Sequence, residues 1–429
     1  MRLLLILLPL FLQYWEDSDV VAGFRRLVGE ITLACHEGRA PGSEGESEVA
    51  RYVWTELEEG GVDMLCGREC IPFGIVTSQG DTLVSHNVAG MVQGYDPVLK
   101  RRYIVVGARL DNTGTNVLMV DGQKVTQIYA GANGNASGVA MMVSLASSLA
   151  RNSVMLRRSV IFVGFGGSTA SFAGAWNFLH DTFAGDADKI DAMVNLDMLG
   201  LNRDGMKAFT CGNSDMNNML ARLSSSLQPV KPTIALEEPY PSDHQVFYSA
   251  RIPSVMFSTG RYSEHNTPKD TQSILDYEFM EREQEFLYNF ILELANAPEG
   301  VPAFDVPEKV EKTGVKDNGI PWSDCDVPPM FMNNPDPAVF MHRWVYTYLK
   351  YPQDCIEEGV SGRVMVEFTI SAEGVLEDVR VVRGVDERLD EAALKVICAS
   401  PKWKPARKNG KKQACSMTVP VEFRLRQKK

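Results

Sequence analysis

Polar side chains with ligand or catalytic chemistry follow the apolar runs in the first 300 residues of this chain. Carboxylate and imidazole groups at such positions can bind zinc, and hydroxyl, guanidinium and carboxylate groups can bind a peptide. No G-x-S-x-G turn surrounds Ser168, which disfavours a serine hydrolase. The candidate positions are Arg109, Asp111, Ser168, Thr169, Asp197, Asp243, His244, Glu264 and His265.

The apolar pattern between residues 21 and 297 predicts the strands and helices that would position these side chains. Short continuous apolar runs alternate with helical segments, which is typical of strands buried on both faces of a mostly parallel sheet. In such open α/β sheets, ligands bind at the carboxyl ends of the strands. We predict strands at 103–108, 159–165, 191–199 and 254–258, and helices at 44–59, 138–150 and 278–296.

The order of motifs over residues 24–297 resembles metallopeptidase family 28, the di-zinc aminopeptidases and carboxypeptidases. The landmarks are "GRAPGSEGE", "IVVGARLDN", "GANGNASG", "FVGFGGSTASFAGA", "NLDMLG", "SDHQVFYSARIPSV" and "HNTPKDT". The resemblance implies a zinc exopeptidase fold. It also implies a site made of a His-x-Asp, a bridging Asp, a Glu pair, a further Asp and a late His.

Several of the positions implied by the resemblance carry residues that cannot bind zinc. Arg109 replaces the His of His-x-Asp, with Asp111 retained, and Gly134 replaces the bridging Asp. Ser168 stands at the position of the general base, and Thr169 at that of its metal-binding neighbour. Of the five direct ligands, only Asp197 and His265 are retained. We therefore expect no cofactor, with zinc only if the metal site survives.

Three interpretations of the retained residues stay open. Asp197 and His265 are remnants hydrogen-bonded in an old cleft, or they help to bind a peptide or protein terminus without metal. Alternatively, Asp111, Asp243, His244 or Glu264 rebuild a non-standard metal site. Arg109 is always charged, so it can replace the metal electrostatically by pairing with Asp111 or Asp197.

Length and charge indicate two units. A chain of 429 residues exceeds one ordinary core. The net charge is −12, which argues against nucleic acid as a partner, yet residues 337–429 hold 17 Lys and Arg against 12 Asp and Glu. We assign residues 1–20 to a signal segment, 21–297 to the peptidase-like domain, 298–336 to a Pro-rich linker and 337–429 to a small α+β domain.

The small domain resembles the C-terminal domain of TonB-type energy transducers over residues 335–426. The resemblance depends on Tyr351-Pro352, the hairpin around Gly374, and the run "PKWKP" at 401–405. It implies docking on an outer-membrane receptor or another envelope protein by strand addition, with Tyr351 and Pro352 as docking candidates. Energy transducers carry a membrane anchor and a long Pro-rich arm, and here a peptidase-like domain replaces that arm.

The leading hypothesis is a periplasmic adaptor whose peptidase-like domain is catalytically degenerate. The alternative is an active zinc exopeptidase with a non-standard metal site. The apolar run from Leu3 to Leu12 predicts export by an N-terminal signal, or anchoring if that signal stays uncleaved. Export would permit the eight cysteines to pair. Cys66 and Cys70 are close enough in sequence for a local disulfide, although free thiols are an equal alternative.

Overall fold

The architecture is an α/β domain followed by a small α+β domain, as the sequence predicts. A computed structural model describes residues 17–68, 70–76, 81–120, 123–235, 238–304, 320–358 and 360–423. The apolar run at 3–12 therefore lies outside the described residues. Within the described ranges, no helix is both long enough and apolar enough to cross a bilayer.

Seventeen strands are present in the described residues. They are β1 Asp63–Met64, β2 Ile71–Val76, β3 Thr82–Val92, β4 Tyr103–Arg109, β5 Gly114–Val120, β6 Gln123–Tyr129, β7 Ser159–Phe165, β8 Ile190–Leu196, β9 Lys207–Phe209, β10 Thr233–Ile234, β11 Ser254–Ser258, β12 Ile320–Pro321, β13 Gly362–Ile370, β14 Leu376–Arg383, β15 Ala406–Lys408, β16 Lys411–Gln413 and β17 Cys415–Phe423.

Eleven α-helical segments occur in the same ranges. They are α1 Asp19–Ile31, α2 Glu44–Glu59, α3 Ser137–Arg151, α4 Ala173–Asn177, α5 Ser214–Ser225, α6 His244–Ser249, α7 Tyr277–Asn296, α8 Pro337–Phe340, α9 Tyr346–Tyr348, α10 Gln353–Glu357 and α11 Glu387–Cys398. Ser43 caps α2 as predicted, because its side chain accepts a hydrogen bond from the backbone N–H of Glu46.

The large sheet has the order β1-β3-β7-β4-β8-β11-β9-β10, with β2 paired to β3. Its centre, β7-β4-β8-β11, is parallel, and antiparallel pairs flank it. Alternate residues of the central strands pack into different cores: Ile104 and Val106 lie in one and Val105 in the other. Burial on both faces explains why these strands are apolar throughout.

The small domain has a four-stranded sheet in the order β12-β17-β13-β14, with α11 packed against it. Part of the segment that we assigned to the linker belongs structurally to this sheet. Ile320 pairs with Cys415, and the side chain of Phe331 is buried against Phe340 and Trp403. Apolar and aromatic residues after position 320 therefore pack into the small domain, although the Pro-rich composition suggests an extended segment.

Candidate functional site

The central parallel strands bring the candidate residues together at their carboxyl ends. Arg109 is the last residue of β4, Asp197 directly follows β8, and the loop with Ser168 and Thr169 follows β7. Since β4 lies between β7 and β8, three separate sequence segments meet at one point. This is the edge at which open α/β sheets bind ligands.

A buried ion pair lies at the centre of this site. Arg109 Nε donates to Asp197 Oδ1 at 3.2 Å, and the two side chains are 10% and 4% exposed. Burial tends to lower the pKa of Arg109, but the carboxylates of Asp197 and Asp111 outweigh burial and raise that pKa. Ser242 Oγ donates to the other oxygen of Asp197 at 2.9 Å. Protein donors therefore engage both oxygens of Asp197.

Asp111 is held by the loop that follows β7. Its Oδ1 accepts from the backbone N–H of Ser168 at 2.7 Å, and its Oδ2 accepts from that of Thr169 at 2.8 Å. The Thr169 hydroxyl also donates to Oδ2. Burial raises the pKa of Asp111, and the bonds from Thr169 and Ser168 oppose that rise. The carboxylate thus holds the loop in place.

Neighbouring side chains surround Gly134 so closely that a larger residue would be crowded. A Cβ atom here would lie 3.0 Å from the Tyr262 hydroxyl, 3.2 Å from His265 Cδ2 and 3.3 Å from Arg109 Nη2. Asp270 fixes the loop by accepting from the backbone N–H of Gly134 at 3.1 Å and from Tyr262 at 2.6 Å. The space beside Gly134 is therefore taken by Arg109, Tyr262 and His265.

Asp243 forms a second buried contact with the loop after β7. The hydroxyl of Ser168 donates to Asp243 Oδ1 at 2.8 Å, while Oδ2 is buried without a hydrogen-bond partner among the described residues. Burial raises the pKa of Asp243 to about 8, and the nearby charges of Asp111 and Asp197 contribute to the rise. The raised pKa favours the protonated form of Asp243 at neutral pH.

Glu264 and His244 make their contacts outside the strand-end site, whereas His265 stays beside Gly134. Glu264 pairs with Arg203 at 2.9 Å. His244 Nε2 lies 3.0 Å from Glu238 Oε1, and Cys211 Sγ lies 3.4 Å from the same oxygen. Burial, followed by the charge of Arg109, lowers the pKa of His265.

Tyr262 and Arg39 were not among our predicted residues, and Asp270 was noted only as part of the run that contains His265. Tyr262 and Asp270 form the hydrogen bond beside Gly134, and their closeness to His265 in sequence is a signal for both. Arg39 is buried and donates to the carbonyl oxygens of Leu110 at 3.1 Å and Gly131 at 3.2 Å. It lies inside the motif "GRAPGSEGE", but composition alone gives no sign that its charge is buried.

Potential metal ligands group in two places within the described ranges. One group is Cys35, His36 and Glu48, and the other is Cys211, Glu238 and His244. Neither group contains the two retained family ligands, Asp197 and His265. The polar groups at the strand ends are joined to one another by intramolecular hydrogen bonds, such as those from Arg109 to Asp197 and from Ser168 to Asp243.

The small domain offers a different kind of site along the outer edge of β17. Among the described residues, strand pairing on this edge is limited to Ile320 and Pro321 of β12. Beyond it, a groove of about 1310 Å³ lies between the edge and α8, α9 and the π-helix Met341–Val345 that joins them. Tyr351 lines the groove and packs edge-on against Phe423, whereas Pro352 directly precedes α10. Of the two docking candidates, Tyr351 is the one that lines the groove.

The two domains meet at the loop after β7. The Tyr348 hydroxyl donates to the carbonyl oxygens of Ala170 at 3.0 Å and Ser171 at 2.6 Å. Its ring stacks on Trp176 with centroids 5.0 Å apart. The small domain therefore contacts the same loop whose Ser168 and Thr169 bind Asp111.

Two family models match the chain. Residues 87–291 match peptidase family M28, and residues 347–425 match the Gram-negative bacterial TonB protein C-terminal model. The predicted pairing of an M28 peptidase-like domain with a TonB C-terminal-like domain is therefore confirmed. No match was found among curated proteins.

Solved structures share the fold of the large domain. The LapA aminopeptidase of Legionella pneumophila is 19% identical with a TM-score of 0.51, over 65% of this chain and 73% of that one. An aminopeptidase from Aneurinibacillus sp. strain AM-1 is 16% identical, with a TM-score of 0.51 over 65% and 95%. Glutaminyl cyclase of Porphyromonas gingivalis is 16% identical, with a TM-score of 0.50 over 64% and 98%.

Proposed function

We propose that this chain is a non-catalytic periplasmic adaptor of a Gram-negative cell. In this proposal the M28 peptidase-like domain binds a peptide or protein terminus without hydrolysing it. The TonB C-terminal-like domain docks on an outer-membrane receptor or another envelope protein. The match to the TonB C-terminal model supports an envelope location, and the N-terminal apolar run supports export through a signal segment.

The observation that carries the proposal is the position of the Arg109 guanidinium. It pairs with Asp197 and reaches the space beside Gly134, where the family resemblance places the metal-bridging carboxylate. A cation about 4 Å from a dication is repelled by roughly 8 kcal/mol at an effective dielectric constant of about 20. The residues present therefore do not fit a pair of zinc ions.

The group that would accept a proton from an activated water is also missing from its expected position. Ser168 stands there, and its hydroxyl donates to Asp243. Neither Ser168 nor Thr169 is a carboxylate that could act as the general base. We therefore derive no hydrolytic step at this site.

Docking of an extended segment fits the edge of β17. Edge strands offer unpaired backbone N–H and C=O groups to an incoming strand, and side-chain pockets then provide selectivity. The groove beside this edge is lined by apolar side chains such as Met341 and Leu349, together with polar ones such as His342 and Glu367. This combination suits a partner strand with alternating apolar and polar residues.

An exopeptidase with a non-standard metal site is the second candidate. The cluster of Cys211, Glu238 and His244 favours it, because thiolate, carboxylate and imidazole groups are all zinc ligands. This cluster contains none of the retained family positions, and Lys402 lies near Glu238. We therefore rank this candidate below the adaptor.

Zinc stoichiometry by elemental analysis separates the two candidates. Purified protein soaked in zinc and desalted should retain no ion at the strand-end site. The adaptor proposal is wrong if wild-type protein retains one or two zinc ions and Asp197→Ala or His265→Ala retains fewer. Aminopeptidase substrates should then be tested. An ion lost only on Cys211→Ser would instead identify the Cys211 cluster as the metal site.

A matched pair of variants tests whether the Arg109 guanidinium is what prevents zinc binding. Gly134→Asp alone should bind no zinc, because Arg109 still occupies the centre. Changing Arg109→His, Gly134→Asp, Ser168→Glu and Thr169→Glu together restores every ligand type that the family resemblance implies, so this variant should gain zinc. Zinc binding by Gly134→Asp alone would show that Arg109 is not the obstacle.

A further inference from the structure

Cys325 and Cys415 form a thiol pair where the Pro-rich segment joins the small domain. Their sulfur atoms lie 3.5 Å apart, although the residues are 90 positions apart in sequence. Cys415 is buried at the start of β17, and Cys325 is partly exposed. A disulfide needs an S–S distance of about 2.05 Å, so the two sulfurs must approach by roughly 1.5 Å.

The backbone brings these thiols together in two steps. Ile320 N–H donates to the carbonyl oxygen of Ala414 at 3.0 Å, which places β12 beside the start of β17. A short turn at 322–324 then directs Cys325 back towards the sheet, and its backbone N–H donates to the Trp322 carbonyl. The thiol contact is thus part of a paired strand and turn.

We propose that Cys325 and Cys415 form a disulfide that fastens β12 to the edge of β17. The reaction needs a disulfide-containing oxidant, such as oxidised glutathione. The Cys325 thiolate attacks one sulfur of the oxidant and releases one thiolate. The Cys415 thiolate then attacks the mixed disulfide at Cys325 and releases the second. Both cysteine protons pass to solvent or to the released thiolates, and two electrons reduce the oxidant.

The different exposure and pKa of the two thiols determine that Cys325 reacts with the oxidant first. Cys325 is the more exposed sulfur, so an oxidant in solution reaches it first. Burial, together with the contact with Cys325, raises the pKa of Cys415 to about 12. Cys415 is therefore a poor first nucleophile, but it is already placed for the internal second step.

The bond would affect the docking edge. β12 covers the β17 edge at Cys415 and Ser416, and the rest of the edge borders the groove. An oxidised pair keeps β12 in place and restricts an incoming strand to the positions from Met417 onward. Reduction allows β12 to detach, which lengthens the available edge. Formation of the bond does not depend on the proposed adaptor function, because the chemistry involves only this pair, whereas its effect on an incoming strand rests on that function.

Peptide mapping of the full-length protein tests the bond directly. Wild-type protein is incubated with oxidised glutathione, its remaining thiols are alkylated, and it is digested with trypsin. The expected product is peptide 317–343 joined to peptide 413–424. Its abundance should exceed that in dithiothreitol-treated protein by at least about tenfold. The linked product should vanish in Cys325→Ser and persist in Cys398→Ser, which removes an exposed cysteine.

The proposal is wrong if peptides 317–343 and 413–424 are recovered separately after oxidation, either alkylated or each joined to glutathione. Linkage of either cysteine to Cys355 or Cys398 would also overturn it. Hydrogen exchange provides a check without any variant: the Ile320 amide should exchange about tenfold more slowly in the oxidised protein. Equal exchange in both states would mean that the bond does not fasten β12.

Discussion

The strand-end site of the large domain and the edge of β17 in the small domain differ in whether their polar groups are already paired. At the strand ends, Asp197 and Asp111 accept hydrogen bonds from Arg109, Ser242 and the loop after β7. Along β17, an open groove borders backbone groups beyond the pairing with β12. Neighbouring groups of the chain therefore already hydrogen-bond the carboxylates of the strand-end site, whereas the groove beside β17 is open.

The largest expected effect comes from removing the ion pair between Arg109 and Asp197 at the strand-end site. Arg109→Met should lower the free energy of unfolding by about 3–5 kcal/mol, because it leaves the Asp197 carboxylate buried without its cation. Denaturant unfolding measures this change. Arg203→Met is the matched control, since its pair with Glu264 lies at the surface and should matter little. Equal effects of both variants would contradict a buried ion pair at the centre.

The pH dependence of stability tests Asp243. Its pKa of about 8 when folded exceeds the value near 3.9 that an unfolded chain shows, so the folded state retains a proton that the unfolded state has lost. This group therefore makes stability fall as pH rises from about 4 to about 8, by up to roughly 1.4 kcal/mol per pH unit.

Asp243→Asn removes this dependence because the amide cannot ionise. Relative to wild type, the variant should gain stability steadily between pH 5 and pH 8 in denaturant titrations. Asp204→Asn changes an exposed carboxylate and serves as the control. Parallel profiles for wild type and Asp243→Asn would show that Asp243 is ionised in the folded state.

The contact between the domains predicts a smaller effect. Tyr348→Phe keeps the ring on Trp176 but removes both hydrogen bonds to the loop after β7. The free energy of unfolding should fall by about 1–2 kcal/mol, since two carbonyl oxygens lose a buried donor. Tyr95→Phe, at an exposed tyrosine, is the control. An unchanged unfolding midpoint would contradict a role for this hydroxyl in joining the domains.

The smallest effect concerns the far end of the β17 edge. The Tyr346 hydroxyl donates to the Pro420 carbonyl at 3.2 Å and accepts from the Glu422 N–H at 3.4 Å, so it partly covers this edge. Tyr346→Phe should strengthen binding of an alternating Thr–Val heptapeptide by about fivefold, which corresponds to one hydrogen bond. Calorimetry measures the affinity. The same peptide with alternate N-methylated amides should not bind, and equal affinities for wild type and variant would show that Tyr346 does not limit the edge.

The sequence by itself predicted the fold class and, to within one residue at each end, six of the seven elements that we placed in the large domain, because apolar periodicity reports which faces are buried. The exception is the strand predicted at 191–199, which ends at Leu196. It also located the candidate site, since polar residues that follow buried strands converge at the carboxyl ends of a parallel sheet. It indicated that Arg109 could pair with Asp111 or Asp197, but it did not choose between them. Only the tertiary structure selected Asp197, because β8 places this carboxylate beside the end of β4.

Long-range contacts account for the features that the sequence did not predict. Burial of Arg39, the hydrogen bond between Ser168 and Asp243, and the pairing of Ile320 with Cys415 all join segments that are far apart in sequence. His244 was a candidate for the strand-end site, yet its ring faces Glu238 because side-chain direction depends on the packing of α6. Composition and spacing fix which groups are present, whereas three-dimensional packing decides which of them are already paired.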